Sequence, residues 1–124
     1  MDWMQEIVGV PYREGGAAPE EGFDCLTLVR WVIRRGLGVD LPERPMGWRR
    51  HVRVLPFSMN DIQRYDLLFF SAELDGVTTH IGIANSRTDF THASQHHKAV
   101  VCEPVGKYRD VIEAIGRVKS ADRD

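Results

Sequence analysis

Apolar positions recur at helical spacing early in the chain and gather in short runs separated by turns along its second half. Asp2 can cap a short helix through Ile7 and Val8, which Gly9 and Pro11 end. Residues 13–22, rich in Gly, Ala, Pro and Glu, read as a loop. Asp24 can cap a second helix over about residues 25–35, because Leu28, Val29, Val32 and Ile33 fall on one helical face. Gly36 and Gly38 stop it, and Pro42 and Pro45 keep the next stretch irregular. One or two helical turns are expected within residues 47–54, and Asn60 and Asp61 begin a turn that leads to Asp66.

From there the pattern changes to strands. Residues 67–70 form a compact apolar run, and 79–84, 89–93 and 99–102 are short strand candidates with a turn at Asn85 and Ser86. Residues 108–112 suggest a helical turn, 114–118 a closing strand, and 119–124 a polar tail that frays. Helices first and strands afterwards, joined by short turns, predict an α+β fold with an antiparallel sheet. A chain of 124 residues suits one domain, here residues 1–124 with a core over about 2–118.

Charge and cysteine usage narrow the classes. A net charge of -2 argues against a nucleic-acid binder that works through a basic face, and the cluster Arg49, Arg50 and Arg53 reads as a solvated loop or short helix. No apolar stretch approaches a membrane span. Residues 1–9 lack the basic flank and apolar run of a signal peptide, so cytoplasmic synthesis is expected. Cys25 and Cys102 are too few for a disulfide framework, although they could bond to each other.

Cys25 carries the candidate chemistry. Unpaired N–H groups and the dipole at a helix start lower a thiol's pKa, and the thiolate is the nucleophile. A small buried thiol would look the same in sequence, so the assignment needs a base. His80 in TTHIGIA and His92 in DFTHAS lie twelve positions apart with a turn between them. Neighbouring antiparallel strands can set them side by side, one as base and the other as the group that fixes its tautomer. A metal site built from His80, His92, His96, His97 and Cys102 lacks any CxxC or HExxH spacing. His96 and His97 read as exposed turn residues, and Asp66 as a local cap or pair. Trp3, Trp31 and Trp48 could line a ligand groove or fill the core.

The segments GVPYREGG, GFDCLTLVRWV, DLLFF, THIGIA, FTHAS and AIGRV, in that order, resemble the NlpC-type cell-wall endopeptidases of the papain-like superfamily. The resemblance runs from about Gly9 to Val118. It implies a papain-like fold in which N-terminal helices pack on a small antiparallel sheet of about five strands. It implies Cys25 as nucleophile, His80 as base and His92 as the polar residue that orients the base. Tyr12 would line the site and help hold the substrate or the oxyanion. Asp24 would help recognise the free amino end of a peptide stem. The implied reaction is hydrolysis of peptidoglycan stem peptides between the γ-carboxyl of D-glutamate and a diamino acid, with no metal or organic cofactor. Many members carry Ser-Gly after the nucleophile, where this chain has Leu26-Thr27. DCLTLVRWV followed by GLGVDLP is more similar to members encoded with phage tails and gene-transfer particles, which implies phage-tail or secretion machinery delivering the enzyme to the cell wall or periplasm. Alternatives are an acyltransferase or amidase with the same triad, an interbacterial toxin with the same chemistry, and a non-catalytic phage-tail structural or binding module.

Overall fold

The computed structural model of the protein describes residues 2–71 and 78–119. Its first element is a single 3-10 helix, Trp3–Ile7, capped by the Asp2 carboxylate, which accepts from the Met4 N–H at 3.1 Å. The 2.7 Å bond from Arg64 Nη2 to Asp2 Oδ1 ties this helix to a segment 62 positions away. The loop expected over residues 13–22 contains a small antiparallel ladder, β1 (Ala17–Ala18) against β2 (Gly22–Phe23).

One α-helix follows, α1 (Cys25–Leu37). Asp24 Oδ1 accepts from the Leu26 and Thr27 N–H groups at 3.0 and 2.9 Å, and Thr27 Oγ1 accepts from the Asp24 N–H at 3.0 Å. This reciprocal cap satisfies donors that a helix start leaves unpaired. Gly38 closes the helix at φ 69°, a left-handed conformation that suits glycine. The helix runs two residues past the expected Arg35 before that stop.

The remaining strands are β3 (Val52–Pro56), β4 (Leu67–Ser71), β5 (Thr78–Ala84), β6 (Asp89–Ser94), β7 (Ala99–Pro104) and β8 (Ile112–Val118). They form one antiparallel sheet in the order β3-β8-β4-β5-β6-β7. The buried stripe of α1, Leu28, Val29, Val32 and Ile33, packs on one face against Leu67, Ile81, Ile83, Ala93 and Val100. Burying each such side chain contributes roughly 1.5–3 kcal/mol. Leu68, Phe70, Ala84, Phe90 and Ile115 project to the other face, where Ile62, Val105 and Ile112 cover them. Strand alternation sends neighbouring residues to opposite faces, so both sides of β4 and β5 are buried.

The α+β class holds, and the sheet has six strands where about five were expected. The sixth is β3, which overlaps the end of the stretch read as helical turns and runs two residues beyond it. Only residues 45–50 form a 3-10 helix there, anchored by buried Trp48, whose Nε1 donates to the Pro42 carbonyl at 2.7 Å. Beyond it Val52 is buried opposite Val118 while Arg53 and Val54 face solvent, because pairing with β8 is worth more than local helix preference. The turn expected at 108–112 lies earlier, as the 3-10 helix Val105–Tyr108, and β8 begins at Ile112. β7 continues two residues beyond Cys102. Of the expected polar tail, Lys119 is exposed and residues 120–124 lie outside the described residues.

Two features hold the site's surroundings. Asp66 is fully buried and receives Arg117 through Nε at 3.0 Å and Nη2 at 2.8 Å, a clamp between the entrance of β4 and the end of β8. The outer edge of β7 is covered by the segment after the first helix. Gly9 N–H donates to the Val100 carbonyl and Val100 N–H to the Val10 carbonyl, both at 2.8 Å, and Tyr12 N–H to the Lys98 carbonyl at 3.0 Å. That pairing delivers Tyr12 to the mouth of the site. No helix among the described residues is long and apolar enough to cross a membrane.

Candidate active site

Cys25 is the first residue of α1, where the capping box leaves a specific opening. Asp24 engages the N–H groups of Leu26 and Thr27 but not that of Cys25, which lies beside its own sulfur at the helix start. The side chain of Cys25 packs over β5, where its sulfur meets the Ile81 backbone N–H. Paired positions between β5 and β6 are limited to Ile83–Thr91 and Ala84–Phe90. Toward His80 and Ser94 no ladder pairing joins these described strands, and a cavity lined by both residues is the candidate site.

Burial pushes the Cys25 thiol up, and the Asp24 charge adds to this. The N–H groups of Ile81, Cys25 and Leu26 pull it down by less. The expectation that the helix start alone favours a thiolate is therefore corrected, because desolvation outweighs the local dipoles. Deprotonation has to come from a neighbouring base.

His80 and His92 are joined by a 2.7 Å hydrogen bond between His80 Nε2 and His92 Nδ1, with ring centroids 4.9 Å apart. They sit on neighbouring antiparallel strands, as the twelve-residue spacing predicted. His92 is only 6% exposed and stacks on Phe90 at 4.7 Å. Phe90 in turn lies over Gly82, where an added Cβ would come 2.8 Å from the ring. The glycine in THIGIA thus makes room for the aromatic ring that supports His92. Burial, helped by His92, lowers His80 to about 4, so its imidazole is neutral near pH 7. Burial also lowers His92, against the opposing pull of Glu103.

Behind His92 stands Glu103, which the sequence reading did not single out. His92 Nε2 meets Glu103 Oε2 at 2.7 Å, Tyr108 OH donates to the same oxygen at 2.8 Å, and Lys107 Nζ donates to Oε1 at 2.9 Å. Burial pushes this carboxyl up, but the bonds from Lys107, His92 and Tyr108 outweigh it and hold it at about 2. A signal existed. In the β6–β7 register His92 faces Val101, and Glu103 is its diagonal neighbour, within reach only if the strand is carried past Cys102.

Two cavities meet at Cys25 and His80. One, of about 440 Å³, is lined by Tyr12, His92, Ser94, Gln95, His96 and Tyr108 as well. The other, of about 460 Å³, is apolar and bounded by Leu26, Pro45, Met46, Trp48, Phe69 and Ile81. Tyr12 lines the cavity that Cys25 and His80 share, its hydroxyl 3.2 Å from Gln95 Nε2. Asp24 turns its carboxylate to backbone donors, Gly15 N–H at 2.8 Å included, and lines neither cavity. Thr27 completes the helix cap and Leu26 lines the apolar cavity, which gives both residues after the nucleophile a structural use. Cys25 and Cys102 are both free thiols. His96 and His97 are exposed in the turn between β6 and β7. Trp48 is a buried wall of the apolar cavity, whereas Trp3 and Trp31 pack against each other at 6.0 Å.

A thiol at a helix start, a neutral imidazole lining the same cavities and a second imidazole hydrogen-bonded to the first invite comparison with known proteins. The sequence profile of the NlpC/P60 family matches residues 9–111. The chain belongs to the NlpC/P60 family. It is 34% identical over 98 residues to a gamma-DL-glutamyl hydrolase of Bacillus subtilis, covering 78% of this chain and 23% of that protein. It is 30% identical over 112 residues to the bifunctional muramidase/DL-endopeptidase CwlT of the same species, covering 90% of this chain and 33% of that one. The chain therefore spans about a quarter to a third of these NlpC/P60 relatives. Among solved structures, the NlpC/p60 domain of the peptidoglycan hydrolase SagA superposes with a TM-score of 0.72 at 26% identity, over 94% of this chain and 92% of that one. The six-stranded sheet and the helix carrying Cys25 are thus the NlpC/P60 fold.

Proposed function

We propose that the protein is a cysteine endopeptidase that hydrolyses peptidoglycan stem peptides, at the bond between the γ-carboxyl of D-glutamate and a diamino acid. The observation that carries this reading is that the Cys25 thiol and His80 border both cavities, with the outer nitrogen of His80 held by His92. The likeness to the peptidoglycan hydrolase SagA supports a peptidoglycan substrate, and the relatives named gamma-DL-glutamyl hydrolase and DL-endopeptidase support a bond of that class.

The chemistry follows from the arrangement. His80 spends Nε2 on His92, which leaves Nδ1 for the thiol. As Cys25 sulfur attacks the γ-glutamyl carbonyl, His80 takes its proton and then passes it to the leaving amine. Water, activated by the same imidazole, releases the glutamyl acid from the thioester. The oxyanion is stabilised by the Cys25 N–H, with the Tyr12 hydroxyl as a second donor. Asp24 offers a negative charge to the free amino end of the stem from beside the nucleophile. Phage-tail or secretion machinery would bring the enzyme to the wall.

Cys25→Ala decides the matter. The variant is expected to leave a purified tetrapeptide stem uncut when products are followed by mass spectrometry. Cleavage at the native rate would overturn the reading. Products cut elsewhere, for example between two D-centres as the name of the murein DD-endopeptidase MepH of Escherichia coli suggests for that 31% identical relative, would keep the chemistry and replace the bond.

A further inference from the structure

Three side chains form a directed hydrogen-bond chain behind the thiol, and its direction is set at the far end. Glu103 is 8% exposed and its Oε2 lies 2.7 Å from His92 Nε2. A carboxylate only accepts, so that nitrogen must carry the proton. A neutral imidazole has one N–H, hence His92 Nδ1 is bare. It lies 2.7 Å from His80 Nε2, which must therefore donate. His80 Nδ1 is then left with its lone pair, the form that can take a proton from Cys25.

We infer that Glu103 is a positioning residue of the reaction, held by Lys107 and Tyr108 so that it imposes the Nε2-protonated tautomer on His92 and, through it, on His80. The inference rests on the reading of Cys25 and His80 as nucleophile and base. Glu103 touches no reacting atom and acts through two imidazoles. Its own orientation is fixed from the 3-10 helix Val105–Tyr108, since Lys107 occupies Oε1 and Tyr108 shares Oε2. The ionisable groups facing the chain are His80 on β5, His97 in the β6–β7 turn, and Lys107 and Tyr108 on that helix. Burial lowers both imidazoles and so preserves the neutral state the logic requires.

Glu103→Gln is the informative change because it is nearly isosteric. Lys107 can only donate and keeps the amide oxygen on its side, which turns the NH₂ toward His92. That group donates, so His92 must accept at Nε2 and carry its proton on Nδ1. His80 then accepts at Nε2 and is protonated at Nδ1, the wrong nitrogen. Loss of kcat by about 100-fold or more is expected with KM changed less than about threefold, in line with the cost of a misplaced tautomer elsewhere. Glu103→Asp, which still only accepts, should recover at least tenfold of that loss. Nitrogen-15 NMR of the native ring nitrogens near pH 7 gives a readout independent of any variant. Protonated Nε2 on both His80 and His92 is expected, with both signals moving to protonated Nδ1 in Glu103→Gln. Native Nδ1-protonated rings, or a folded Glu103→Gln with kcat within threefold of native, would overturn the inference. An active Cys25→Ala would instead overturn the catalytic reading beneath it, so the two failures are told apart.

Discussion

At the scale of single residues, burial governs the reactive groups more than their local positions do. Cys25 sits where helix dipoles favour a thiolate, yet desolvation and the Asp24 charge push the thiol up. The free enzyme should therefore keep a protonated thiol near neutral pH. The rate of Cys25 alkylation by iodoacetamide, followed by peptide mapping to separate it from Cys102, is expected to rise about tenfold per pH unit between pH 6 and 8, as the thiolate fraction grows. A rate already flat below pH 6 would show a thiolate–imidazolium pair instead. His80 and His92 were legible because their spacing and the intervening turn point to adjacent strands. Glu103 was not, because its partner is set by cross-strand register and by a strand end that periodicity places two residues short.

At the scale of elements, the start of α1 is asked to do two things through one carboxylate. Asp24 caps the helix, ties down the loop through Gly15 N–H and carries a charge beside the nucleophile. Substitution separates these roles. Asp24→Ala removes the cap and is expected to cost about 1 kcal/mol in chemical denaturation. Asp24→Asn keeps an acceptor for the cap, so stability should change by only a few tenths of a kcal/mol. If the charge recognises an amino end, Asp24→Asn raises KM for a stem with a free amine and leaves kcat near native. An unchanged KM would assign Asp24 to the helix alone. The helix itself was readable from the Asp24 cap and its four apolar positions. β3 was not, since Arg53 and Val54 are exposed and only the partnership of Val52 with Val118 reveals the strand.

At the scale of the molecule, the buried His92 and partly buried His80 couple the site to stability. His80 binds its proton near pH 4 when folded and near 6.5 when unfolded. Between these values the unfolded chain holds more protons, so stability falls as pH drops from about 6.5 toward 4. From pH 7 to pH 5 this one group should remove roughly 2 kcal/mol. Glu103 and Asp2, both held near 2 in the folded state, lose their contributions only in more acid solution. Urea midpoints at pH 7 and pH 5 test this, with His80→Ala expected to flatten the difference. An equal loss in both proteins would place the acid sensitivity elsewhere.

What the sequence determined by itself was local or strictly periodic: the capped helix that begins at Cys25, the order of helix before strands, and the two histidines on successive strands. Those features follow from backbone donors, glycine stops and side-chain alternation, which operate over a few residues. Only the tertiary structure decided how the charges and protons are arranged. The raised thiol depends on burial against β5, which brings Ile81 to the sulfur. Asp66 found Arg117 fifty-one positions away. Glu103 reached His92 through the register of β6 and β7. Desolvation and long-range pairing depend on which distant groups share a small volume, and no window of the chain contains that information.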